Sequence, residues 1–175
     1  MKDQIEISKY SPCRRALKYR LEYPDFKTAW ENCPRGDWML WVASKVGVDI
    51  HPLTYAKVKC AETVKHLMKD KRSLTAIKVA KKFGKKKATR KELSAAADAA
   101  ADADAYAADA AAYAAAYAAD AADAAADAAD AAAYAAADAA ADADAYAERT
   151  KNRKQTADIC RKHLTKHVFK ALNIK

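Results

Sequence analysis

The chain has 175 residues, 31% of them charged, with a formal net charge of +9. That length suits a single domain, 1–175, with a modest core. No apolar run is long enough to span a bilayer or to act as a secretion signal, which excludes a membrane partner and leaves a cytoplasmic protein as the expectation. Cys13, Cys33, Cys60 and Cys160 include no Cys-x-x-Cys pair, so reduced thiols are expected.

Taken in order, Gln4 to Ser8 alternates apolar and polar residues and reads as a short strand. Ser11-Pro12 reads as an N-cap and first helical position, opening a helix whose stripe is Cys13, Ala16, Leu17 and Leu21. After Pro24, a second helix carries Phe26, Ala29 and Trp30. Pro34 and Gly36 make a turn, and Asp37 is placed to cap a helix through Trp38, Leu40, Trp41 and Val42 that Gly47 closes. The three tryptophans are expected to anchor the core. The Arg35-Gly36-Asp37 tripeptide matches an adhesion motif by coincidence.

Pro52 to Met68 reads as one amphipathic helix, with Leu53, Ala56, Val58, Cys60, Val64 and Leu67 broadly inward. Ser73 to Phe83 is another, ended by Gly84. Thr89 and Glu92 fit a capping box that starts a helix near Arg90. These elements form a basic helical half, 1–93. Residues 148–175 form a C-terminal helix with Ile159, Leu164, Val168 and Phe169 apolar.

Between the two lies 94–147, which after Ser94 contains only Ala, Asp and Tyr up to Ala147. Alanine is the best helix former and Gly and Pro are absent, so helix is expected throughout. At about 100° per residue, most aspartates fall within an arc of roughly 120°, with the tyrosines on or beside it and bare alanine opposite. Alanine packing inward gives the fold class, an all-α multi-helix bundle with closely packed alanine-rich helices. The string ADAAADADAYA occurs at 97–107 and again at 137–147. A single helix of this length would run to about 80 Å, against ~40 Å for a domain of this size. Breaks are therefore expected at Asp102 to Asp104 and Asp142 to Asp144.

The segment carries eleven aspartates and no base, so the remainder of the chain stands at +20. Asp120, Asp123, Asp127 and Asp130 lie three, four and three apart with no intervening cation, and each like-charged neighbour costs ~0.2–0.5 kcal/mol. Either the basic half or a basic protein partner should compensate. The candidate partner-binding residues are Asp109, Tyr113, Tyr117, Asp120, Asp123, Asp127, Asp130 and Tyr134, the tyrosines serving as rigid amphipathic contacts. Oligomeric state is left open.

No phosphate loop, nucleophile elbow or zinc-protease motif is present, so no catalytic residue and no cofactor are expected. Cys160, His163 and His167 share helical spacing, but without a fourth ligand no metal site is assigned. Residues 69–91 carry eleven Lys or Arg against Asp70, a density that suits phosphate contacts and keeps a nucleic-acid binder as an alternative.

The string AWENCPRGDWMLWVASK, preceded by SPCRRAL and followed by an alanine-rich tract punctuated by Tyr and Asp, resembles the alanine-rich immunity-protein family of bacterial polymorphic toxin loci, which also occurs in phage genomes. The resemblance implies an all-helical, non-enzymatic protein that binds and blocks a toxin in a bacterial or phage-infected cell. The reading is thus an inhibitor acting through the Asp/Tyr face, with a phage counter-defence protein, such as an anti-CRISPR covering a nucleic-acid channel, as the alternative. The tract also looks like helical antifreeze proteins, but those present regularly spaced threonines and 94–147 contains none.

Overall fold

The computed structural model describes residues 7–68, 71–101 and 145–174. Among them the chain is all-α: α1 (Arg14–Leu21), α2 (Phe26–Asn32), α3 (Gly36–Lys45), α4 (Ile50–Ala61), α5 (Lys71–Gly84), α6 (Arg90–Ala101) and α7 (Ala145–Ala171). Short 3-10 turns occupy Ile7–Tyr10 and Glu62–Leu67.

Several helices start where a side chain satisfies a free amide of the first turn. Asp25 accepts from Thr28 N at 2.7 Å and Asp49 from His51 N at 2.9 Å. The expected capping box is formed: Glu92 Oε2 accepts from Thr89 N at 2.7 Å, and Thr89 Oγ1 accepts from Glu92 N at 3.2 Å. Three helices end on a left-handed residue with a six-to-one amide bond behind it. Gly47 (φ 78°) is followed by Val48 N–H to Ala43 O at 3.1 Å, Lys86 (φ 58°) by Lys87 N–H to Lys82 O at 2.8 Å, and Asn173 (φ 54°) by Ile174 N–H to Phe169 O at 2.9 Å.

Two hydrophobic cores share α4. Leu53, Ala56 and Cys60 face the first, with Phe26, Trp30, Met39, Leu40, Leu164 and Val168. Val58 and Ala61 face the second, with Val64, Ile77, Ala80, Phe83, Leu93 and Ala97. α7 lies across α3 and α4, and α5 packs between α4 and α6. Small residues set the closest approaches. A methyl group on Gly36 would meet the Thr156 backbone carbon at 2.6 Å, and one on Gly84 the Tyr55 Cα at 2.8 Å.

Several local expectations are corrected. Ile7 and Ser8 belong to a 3-10 turn that buries Ile7, no strand being available for pairing among the described residues. Ser11 sits at φ 55° outside α1, and Cys13 is the N-cap, its Sγ accepting from Ala16 N at 3.4 Å. Leu21, the last residue of this eight-residue helix, is 73% exposed rather than inward. Arg35, not Asp37, is the N-cap of α3. The helix expected over Pro52 to Met68 starts two residues earlier and tightens to 3-10 after Ala61. There Thr63 Oγ1 donates to Cys60 O at 2.7 Å and competes for a carbonyl that an α-helix would use. Gly84 closes α5 in position but not by conformation, since the left-handed residue is Lys86.

Candidate functional site

The eight sequence-predicted partner residues, Asp109, Tyr113, Tyr117, Asp120, Asp123, Asp127, Asp130 and Tyr134, lie outside the described residues, as do the two expected breaks. The first turns of the same segment are described on α6. There Ala97 is 4% exposed in the second core, beneath fully buried Leu93, while Asp98 is exposed. Over this stretch Ala97 faces the body and Ala96 is half-buried, while Ala95, Asp98 and Ala99 face solvent.

The basic stretch is a surface. α5 turns Ser73, Ala76, Ile77, Ala80 and Phe83 inward. Opposite them Lys71, Lys78 and Lys82 are all exposed, and spacings of seven and eleven hold them within roughly 20° of one line about 16 Å long. Exposed Lys85, Lys86, Lys87, Arg90 and Lys91 extend the ridge into α6. Lys81 differs. It and Lys59 clamp Glu62, with Nζ–O distances of 2.6 and 2.5 Å. Burial works to raise the Glu62 carboxyl pKa, and the two ammonium groups outweigh it, holding that pKa below the usual value.

The tryptophans divide. Trp30 is a core residue, 3% exposed, its Nε1 donating to Thr165 Oγ1 at 2.9 Å and its ring edge-on to Phe169. Trp38 and Trp41 are half-buried, and they wall a cavity of about 370 Å³ with Arg15, Arg35, Asp37 and Arg153. The Arg35 guanidinium grips Asp37 through both carboxylate oxygens, Nε lying 2.9 Å from Oδ1. It also lies over the Trp38 ring, 4.7 Å from the centroid. With Asp37 only 3% exposed, the Arg-Gly-Asp tripeptide is internal structure rather than a displayed adhesion loop. The sequence reading missed this cavity because its arginines come from α1, the α3 cap and α7; their clustering carries no sequence signal.

All four cysteines are free thiols. Burial pushes Cys33 up to about 11 and Cys160 well above the ordinary thiol value, which makes both poor nucleophiles and poor metal ligands near neutrality. Cys160 Sγ points at Gly36 O, 3.6 Å away, His163 sits edge-on to Tyr55, and His167 is exposed. These three are therefore not directed at one point, and among the described residues no group of three candidate ligands converges. No helix of the described residues is long and apolar enough to cross a membrane. Comparison with protein-family models, curated proteins and solved structures returns no match to this chain.

Proposed function

We propose that the chain is a non-enzymatic inhibitor of the immunity-protein type, which captures a basic protein partner through the Asp/Tyr face of 94–147. The observation that supports this reading is that Asp98, the first aspartate of the segment, is exposed on α6 while neighbouring Ala97 is buried. By sequence spacing alone, Asp109, Asp120, Asp123, Asp127 and Asp130 fall on one helical face, with Tyr113, Tyr117 and Tyr134 on or beside it and no cation between the aspartates. Such a stripe accelerates encounter with a cationic cleft. Reversing Asp120, Asp123, Asp127 and Asp130 to Lys tests the reading: partner capture should be lost, and capture that persists with unchanged salt dependence removes it.

A second reading, nucleic-acid binding, is favoured by the alignment of exposed Lys71, Lys78 and Lys82 beside Lys85 to Lys87. Phosphate contacts of this kind release counterions, so affinity for random duplex DNA should fall steeply with salt. Lys78→Gln with Lys82→Gln should flatten the salt slope by about one for each phosphate no longer neutralised. No detectable affinity at moderate salt excludes this reading.

A further inference from the structure

The lysine ridge runs along the middle of a layer of helices. α5 packs between α4 and α6, and packed helix axes lie about 8–10 Å apart, so only the outward stripe of α5 projects, with a shoulder on each side. Lys71, Lys78 and Lys82 are exposed on that stripe, separated by about 10 Å and about 6 Å along the axis. Exposed Lys86, Lys87 and Lys91 carry the charge round the turn into α6. Lys85 is set apart, its ammonium lying over the Tyr55 ring, 5.5 Å from the centroid. Glu92, the acid beside Lys82, already accepts from the Thr89 amide and hydroxyl at 2.7 and 2.8 Å.

The same stretch holds little that could read or stack a base. Between residues 71 and 99 there is no Asn or Gln, and the one aromatic residue, Phe83, is buried in the second core. The hydroxyl between Lys71 and Lys78, that of Thr75, donates to Lys71 O at 2.8 Å. Tyr55, beyond the end of the stripe, meets Lys85 and the edge of His163 and offers no open face.

We propose that this layer lies flat against the outside of a nucleic-acid duplex and holds its phosphates without reading its bases, an inference that rests on the nucleic-acid reading above. A helix that reads sequence enters a major groove about 12 Å wide. One helix with its side chains fills that width at ~10–12 Å, and α5 with α4 and α6 at its sides is too broad to enter. Its lysines therefore meet phosphates at the groove rim. Unpaired bases gain no stacking on such a surface, whereas a duplex, with one charge per ~1.7 Å of axis, presents the denser row of phosphates.

The test is fluorescence anisotropy of the full chain with two 20-base-pair DNA duplexes of unrelated sequence, an RNA duplex of the same length and the separated DNA strands, at about 50 mM salt and above. The three duplexes should bind within about threefold of one another, and single strands at least about threefold more weakly. Lys78→Gln with Lys82→Gln, both exposed and so folded, should flatten the log–log salt slope by about 1.8 on each DNA duplex. Lys78→Arg with Lys82→Arg should keep the original slope. Single strands binding as tightly as duplexes, or a tenfold preference for one duplex over another, overturns the inference and leaves the nucleic-acid reading standing. No binding to any probe up to about 100 µM protein, the middle of the non-specific range being near ~10 µM, or an unchanged slope in the Gln variant, overturns both.

Discussion

Lys57 is 1% exposed, on a face of α4 that falls between the residues facing the first core and those facing the second. Burial pushes its ammonium down to about 8 from 10.5. Each unit of that displacement is worth about 1.4 kcal/mol, so keeping the charged form there costs on the order of 3 kcal/mol near neutrality. Lys57→Met keeps the length and the apolar stem while removing the charge, and should stabilise the fold by up to about that amount at pH 7. The sign with pH follows from the two protonation states. Below pH 8 folded and unfolded chains both carry the proton, and the native state bears the full cost. Between pH 8 and 10.5 the native amine is neutral while the unfolded one remains charged, so the cost is shed as pH rises. The buried thiols act the other way. Their raised values favour the native state below about pH 9 and lose that contribution as pH rises through the folded value, but they do so equally in both proteins. The measurement is therefore the difference in urea unfolding free energy between the variant and the unaltered chain, at pH 7 and pH 9. The gap should narrow by about 1 kcal/mol over that interval. Equal midpoints at pH 7, or a gap that stays constant, would refute the reasoning.

Gly36→Ala places a methyl group 2.5 Å from Thr156 Oγ1 and 2.6 Å from its backbone carbon, and should cost about 1–3 kcal/mol, a loss of several degrees in Tm. Because the clash with the backbone remains, adding Thr156→Ala should not restore the Tm; full restoration would show that the helices do not meet backbone to backbone. Lys86→Gly relieves a left-handed lysine and should raise stability by roughly 0.5–1 kcal/mol in thermal unfolding; an unchanged or lower Tm contradicts that. Thr54 Oγ1 is buried without a hydrogen-bond partner, so Thr54→Val should gain about 1 kcal/mol. A loss of the same size in urea unfolding would instead reveal a bond to that hydroxyl.

Features of local origin were legible in the sequence. The Thr89–Glu92 capping box, the Gly47 terminus and the apolar stripe of α5 each depend on residues within one or two turns of one another. Legibility failed where a distant segment decides the outcome. Gly84 carries the terminator signal, yet it lacks a side chain because α4 passes over it at Tyr55, and the terminating conformation falls to Lys86 two residues on. Trp38 and Trp41 read as core anchors alongside Trp30, and all three pack on the first core, but only Trp30 is enclosed; the other two are half-buried at the cavity that Arg153 of α7 helps to line. Asp37 had the right chemistry for a cap, and Arg35 claims it instead as a buried counterion. The residues of the proposed partner face lie outside the described residues.

The sharing of α4 between two cores bears on the order in which the chain folds as it is made. The second core closes on itself by residue 97, because Val58, Ile77, Phe83, Leu93 and Ala97 are all synthesised within about forty residues. The first cannot. Leu164 and Val168 fill the space against Met39 and Leu40, and they leave the ribosome more than a hundred residues after those partners. Until then α1 to α3 wait with Trp30 and Leu40 uncovered, an interval of several seconds at ordinary elongation rates of ~5–20 residues per second. The Ala/Asp/Tyr tract of 102–144 accounts for about forty residues of that interval. A chain cut short before α7 should therefore retain a folded second core and expose the first as an aggregation-prone face.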